Sequence, residues 1–245
     1  MTGIRATFSS EWLKLWTVRS TWWSTGTAVV LMPVFAAVMG ADFAGDVSEG
    51  EITDGVTSMA ITEPAANAAM IAQFGLLAFA MMSVTAEFAT GAIRSTFAAD
   101  PARGRVLLAK TLAVAAAALP VALVMVVLGV VVGDAALGEY GRGGGVVSAV
   151  ASFSGYLVLS AVFTVGVSAL VRSAVATLST VIVLLLALPM MFTTGVWNFL
   201  PGGAGYVLLG REDPPFSRIT AAVVLAAWAL AAQVVGVLAV RRRDA

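Results

Sequence analysis

TLAVAAAALPVALVMVVLGVVVG, residues Thr111–Gly133, runs for 23 residues without a charged side chain. About 20 apolar residues in helical conformation cross the hydrocarbon core of a bilayer. The stretch therefore predicts a membrane-spanning helix. Five more charge-free runs flank it: 20–41, 64–86, 143–171, 173–210 and 219–240. Four of the six runs have 22 or 23 residues, which fits one crossing each. The 143–171 run is longer but opens on Gly143-Gly144-Gly145, which reads as loop.

The charges between the runs sort by side. If each run crosses once, one face collects Arg5, Lys14, Arg19, Arg94, Arg103, Arg105, Lys110, Arg172, Arg241, Arg242 and Arg243. The other collects Arg142, Arg211 and Arg218. A split of 11 against 3 of the 14 bases makes the first face cytoplasmic by the positive-inside rule, with both termini on it. Only Glu11, Glu87, Asp100 and Asp244 of the 14 acids join that face, so the formal net charge of zero hides a strong asymmetry.

The composition agrees. The chain is 60% hydrophobic and 11% charged, where soluble domains carry about 25% charged residues. With no Cys and no His, disulfides, thiol chemistry, haem and most transition-metal sites are excluded. Membrane metalloproteases and Ser/His hydrolases lose their essential base. No Asp, Glu or Arg lies in the middle of a run, so a proton relay and a voltage sensor lack their groups. No catalytic residue, metal or cofactor is expected. GRVLLAKT, Gly104–Thr111, approaches the phosphate loop G-x-x-x-x-G-K-[ST], but Ala109 stands where the second Gly must be and no strand precedes it.

Along the chain, residues 2–20 predict an interfacial helix, with Ile4, Phe8, Trp12, Leu15, Trp16 and Arg19 at helical spacing and Ser10, Lys14, Thr17 and Thr21 on the opposite face. Trp12, Trp16, Trp22 and Trp23 suit the headgroup level as anchors. No small-x-small cleavage site follows the first apolar run, so no cleaved leader is expected. Spans are expected at about 22–40, 65–86, 111–133, 146–171, 174–193 and 218–240. Pro33 predicts a kink in the first, and Gly129 and Gly133 a close helix approach in the third. The outer segment 41–63 holds six acids (Asp42, Asp46, Glu49, Glu51, Asp54, Glu63) without calcium-loop spacing and reads as a solvated loop.

The 38-residue run 173–210 is too long for one crossing. Two crossings would put Arg241–Arg243 outside. One span followed by a short outer or re-entrant element solves this, with breaks at Gly195, Pro201, Gly202, Gly203 and Gly205. Asn67, Gln73, Ser83, Tyr156, Ser160, Thr164, Ser168, Thr177, Ser179, Thr180 and Gln233 are the polar residues in the spans, and most are expected to bond to backbone or neighbouring helices.

The inner segment AEFATGAIRSTFAADPARGRVLLAK, 86–110, is the longest on its face. Span 2 should continue into it and place Glu87 and Arg94 on one helical face. Asp100-Pro101 should break that helix. Arg103 and Arg105 suit acidic groups of a partner or lipid phosphates.

With SEWLKLWTVRSTWW (Ser10–Trp23) and the PGGAGYVLL stretch after span 5, this segment resembles the permease subunits of bacterial type-2 ABC exporters, along nearly the whole chain. The resemblance rests on Glu87, Gly91, Arg94, Pro101, Arg103 and Lys110. It implies an all-α domain over 1–245 with six transmembrane helices, an N-terminal elbow helix and an external re-entrant element between helices 5 and 6. It also implies that segment 87–110 docks on a separate ATPase subunit, with Glu87, Gly91, Arg94, Phe97, Ala98, Pro101 and Arg103 at the contact. Further implied partners are a second permease copy or paralogue and membrane lipid, with no nucleic acid, in the bacterial cytoplasmic membrane. The implied substrate is lipophilic or amphipathic: a drug, antibiotic, peptide or lipid. A stand-alone transporter or channel, and a non-transport assembly or sensor subunit, are the competing readings.

Overall fold

The computed structural model describes residues 3–50, 57–192, 195–211 and 214–242. Among them, six helices are long and apolar enough to cross a membrane, so the chain is an all-α, multi-pass membrane protein. The elements in order are α1 (Ile4–Thr17), α2 (Arg19–Glu49), α3 (Glu63–Thr90), α4 (Ile93–Ala99), α5 (Arg103–Leu137) and α6 (Val146–Val171). Then come α7 (Ala174–Ile182), a π-helical turn (Val183–Ala187), α8 (Leu188–Met191), a 3-10 turn (Gly195–Phe199), α9 (Pro201–Leu208) and α10 (Arg218–Arg242).

The helices outrun the charge-free stretches. The first apolar run stops at residue 41, but α2 continues to Glu49 and ends at Gly50, whose positive φ closes the last turn on the carbonyls of Asp46 and Val47. Residues 41–49 of the expected acidic loop are therefore helix, with Asp42, Asp46 and Glu49 on it. Glu51 and Asp54 lie outside the described residues. The physical reason is simple. Charge absence marks the hydrocarbon zone, whereas helical hydrogen bonding continues until a capping residue stops it. Pro33 and Pro120 do not interrupt α2 and α5 as elements.

α3 is the most enclosed span, packed between α2, α5 and α6, while α2, the α7–α8 segment and α10 keep most of their surface on the outside. Small residues set the close approaches, as expected where apolar solvent gives no hydrophobic drive between helices. A Cβ on Gly166 of α6 would lie 2.5 Å from the carbonyl carbon of Ala232 in α10. Gly236 answers from α10, where a Cβ would stand 2.9 Å from the Gly166 carbonyl oxygen. On the other side, Gly129 and Gly133 of α5 receive Met32 of α2 and Pro64 of α3, which gives the anticipated close approach its partners.

Polar side chains tie the spans at depth. Tyr156 Oη donates to Gln73 Oε1 (2.7 Å), and Gln73 Nε2 donates to the Met70 carbonyl (2.9 Å). Thr111 Oγ1 donates to Gln233 Oε1 (2.9 Å), and Gln233 Nε2 to the Val162 carbonyl (2.7 Å). Tyr156→Phe should lower stability by about 1 kcal/mol, since it leaves Gln73 Oε1 without its donor. Unfolding of the two proteins in one detergent checks this, and an unchanged midpoint would contradict it.

The 173–210 run holds one helix long and apolar enough to span, Ala174–Met191, and a short buried helix, α9. Pro189 removes the amide that would bond the Leu185 carbonyl, and the preceding turn is π-helical. α9 closes on that irregular turn. A Cβ on Gly202 would lie 2.6 Å from the carbonyl oxygens of Leu184 and Leu185. Gly205 lies against the Tyr156 ring, and residues 201–205 are all buried. At the same end of the bundle, Met59–Ala60 (β1) pairs in parallel with Gly141–Arg142 (β2), which joins the α2–α3 connection to the α5–α6 connection.

Candidate docking surface and its charged brace

At the end of the bundle opposite the strands, the chain leaves α3 at Gly91, whose positive φ of 74° ends the helix on the Phe88 carbonyl. The seven-residue α4 follows, and Asp100 and Pro101 separate it from α5. The break at Gly91 corrects one sequence expectation. Glu87 and Arg94 do not share a helical face, because the left-handed Gly91 ends α3 between them and Arg94 belongs to α4.

Glu87 points inward, into a cluster of four charges. Lys14 Nζ donates to Glu11 Oε1 (2.7 Å), Glu87 Oε1 (3.1 Å) and Thr96 Oγ1 (3.2 Å). Lys110 Nζ donates to Glu11 Oε2 and to Glu87 Oε1 (3.0 Å). The Glu11 and Lys110 side chains are 2% and 5% exposed. Two carboxylates and two ammonium groups thus join α1, α3, α4 and α5. Burial pushes the Glu11 carboxyl up, but Lys110 and Lys14 outweigh it and hold the group below its ordinary value. Glu87 Oε2 has no protein partner. It borders a cleft of about 80 Å³ between α1, the start of α2 and α3. That is room for several waters.

This arrangement corrects a second expectation. The sequence sets Lys14 opposite the apolar residues of the N-terminal helix, yet Lys14 turns with Thr7, Glu11 and Leu15 toward the protein. The mixed-charge seam was not recognised. Its signal was present: Glu11-x-x-Lys14, Glu87 and Lys110 stand at the ends of three apolar segments with zero net charge between them. The aromatic residues take the flank. Trp12, stacked with Phe8, and Trp16 are half-buried against the core. Trp22 and Trp23 are exposed, with Trp22 Nε1 capping the Trp16 carbonyl at 3.1 Å. The chain bends between α1 and α2 at Val18, the one extended residue between them.

Asp100 is a second brace. It accepts from Thr7 Oγ1 (2.9 Å), from the Ala102 amide (3.1 Å) and from both Nε (2.8 Å) and Nη2 of Arg105. The Arg105 guanidinium holds the Asp100 carboxyl at about 2, below its ordinary 3.8, with the Thr7 and Ala102 bonds adding to this against burial. A folded-state value below the unfolded one means that the stabilisation is complete above about 4 and lost as pH falls toward about 2. Asp100→Asn should therefore unfold at lower temperature than the parent chain at neutral pH, and the gap should close below about pH 2. A gap that stays constant across the acid range would contradict the assignment.

The sequence-derived contact set divides in two. Gly91, Arg94, Ala98 and Pro101 are exposed, as is Ser95. Glu87, Phe97 and Arg103 face the protein: Phe97 packs on the core, and Arg103 stands over its ring at 5.3 Å and donates to the Val240 carbonyl at 3.1 Å. Arg172 likewise lies over Phe88 at 4.9 Å and reaches the Ala239 carbonyl at 3.4 Å. Two arginines thus cap the last turn of α10 and tie it to the same end. Among the described residues, no group of three metal-binding side chains occurs. In comparison with known proteins, no family model matches the chain, and no curated protein matches it either.

Proposed function

We propose that the chain is the permease half of an ATP-driven exporter, with α4 as the contact for a separate ATPase subunit. The observation that carries this is the mounting of α4. It is a short helix with one side exposed and the other tied to α1 through Lys14–Thr96 and to α5 through Arg103 on Phe97, while Thr7–Asp100 holds its C-terminal cap and Lys14 passes the tie on to Glu87 of α3. Such a mounting transmits a push on α4 into α1, α3 and α5 rather than letting it swing freely. The absence of Asp, Glu, Lys, Arg and His from the middle of the charge-free runs supports an outside source of energy.

In this reading the basic end faces the cytoplasm and the N-terminal helix serves as an elbow at the inner interface. Trp12, Trp16, Trp22 and Trp23 anchor it, and α9 forms an external re-entrant element. A second copy or paralogue completes the path against the less enclosed spans α2, α7–α8 and α10. The substrate is lipophilic or amphipathic, since the spans present apolar surface and their polar groups are largely bonded within the chain.

The test is co-expression with an ATPase encoded in the adjacent reading frame. The two should co-purify, and combined alteration of Gly91, Arg94 and Pro101 should abolish it while the permease still purifies in a single dispersed form. Unchanged co-purification and ATP turnover in that variant would sink the docking assignment.

A further inference from the structure

Below α4, the first turn of α5 and the last turn of α10 enclose a groove lined by Pro101, Ala102, Arg103, Gly104, Arg105 and Arg241. It holds about 470 Å³, room for a headgroup rather than a lone ion. Among the described residues, three arginines line it and no carboxylate does. Two of the three are fixed from behind: Arg105 by Asp100, and Arg103 by the Val240 carbonyl and the Phe97 ring. The third lies across Gly104, where a Cβ would stand 2.9 Å from Arg241 Nη2 and 3.2 Å from its Nε. Glycine at 104 thus lets the Arg241 guanidinium rest on the start of α5, whose positive helix end adds to the field.

Apolar strips rise from this basic floor. On α5, Leu108 and Leu112 follow Arg105 on the same helical face, 49% and 46% exposed. On α10, Leu238 and Val234 precede Arg241 on its face, 44% and 59% exposed. A basic groove topped by exposed aliphatic strips matches an anionic headgroup with acyl chains. The geometry points to a binding site for an anionic phospholipid, its phosphate among Arg103, Arg105 and Arg241 and its chains along α5 and α10. Basic pockets between membrane helices favour such headgroups, each arginine contributing about 1 kcal/mol, or about fivefold in affinity. The inference rests on the multi-pass membrane reading and not on the ATPase partnership. It also assigns Arg103 to the groove rather than to the outward face of α4.

The experiment is native mass spectrometry of the full chain in detergent, without any ATPase, titrated with phosphatidylglycerol or phosphatidylcholine. The parent chain should retain phosphatidylglycerol preferentially. Arg241→Gln should weaken that retention about fivefold, Arg241→Lys much less, and Arg218→Gln at the other end of α10 not at all. Gly104→Leu, which displaces the Arg241 guanidinium, should reproduce the Arg241→Gln loss with an unaltered unfolding midpoint. Equal retention of both lipids, or no loss in Arg241→Gln, would overturn the site. Full displacement of the lipid by inorganic phosphate would also overturn it, since the groove would then recognise free phosphate. Loss of a co-purifying protein with lipid retention intact would assign the surface to that protein instead.

Discussion

Replacing Glu11 with alanine should destabilise the folded chain by about 3–5 kcal/mol, the largest single-residue effect expected in the molecule. The cost does not come from losing an attractive pair in water. It comes from leaving Lys110, 5% exposed, and Lys14 to share the single carboxylate of Glu87, with one positive charge in excess beside the apolar ends of the helices. Lys110→Met in the Glu11→Ala background should recover much of the loss, because it removes the stranded charge. The unfolding midpoints of the parent, single and double variants in one detergent decide the matter. A single variant within about 1 kcal/mol of the parent would mean that water solvates the cluster and that it braces nothing.

Gly166→Leu should be the second large effect. The α6–α10 crossing brings backbone against backbone, and backbone cannot turn aside as a flexible side chain does. Overpacking of cores costs typically about 1–3 kcal/mol, and this position belongs at or above the top of that range. Gly155→Leu on the same helix is the control, since no atom lies within 4 Å of a Cβ there. The expected result is loss of monodisperse protein or a large fall in midpoint for position 166, with position 155 close to the parent. Equal tolerance at both positions would refute the close crossing. Such a loss would also free the α10 end that Arg103 and Arg172 cap.

The spans were legible because their signal is long and needs no partner: 22 or 23 uncharged residues specify a crossing whatever lies beside them. The single candidate span in 173–210 was legible for a related reason, since charge counting forbade two crossings there and the Pro and Gly residues marked a break before α9. The ends of the helices were less legible. Nothing in Asp42, Asp46 and Glu49 distinguishes a solvated loop from a helix that continues past the apolar zone; Gly50 was the stop, and one glycine is a weak mark. The site was half legible. Segment 86–110 stood out by length and charge, but the turn at Gly91 was hidden in an otherwise helical pattern. The polar seam of α1 was not legible because Ser10, Lys14, Thr17 and Thr21 mark a polar face without showing that Glu11 and Lys14 meet charges from other helices. Which way Glu11 and Lys14 point depends on Glu87 and Lys110, 73 and 96 residues beyond Lys14, and helical periodicity carries no information across that distance.

The central claim is that a separate ATPase seats on the outward face of α4. Because the chain contains no cysteine, one introduced thiol reports one position. Ser95→Cys, exposed on α4, and Val147→Cys, 85% exposed at the opposite end of the bundle, would each carry a photoactivatable cross-linker in membranes that also contain the ATPase from the adjacent reading frame. The expected result is a permease–ATPase adduct from position 95 that changes in yield with ATP, and none from position 147. No adduct from position 95, or equal adducts from both, would contradict the claim.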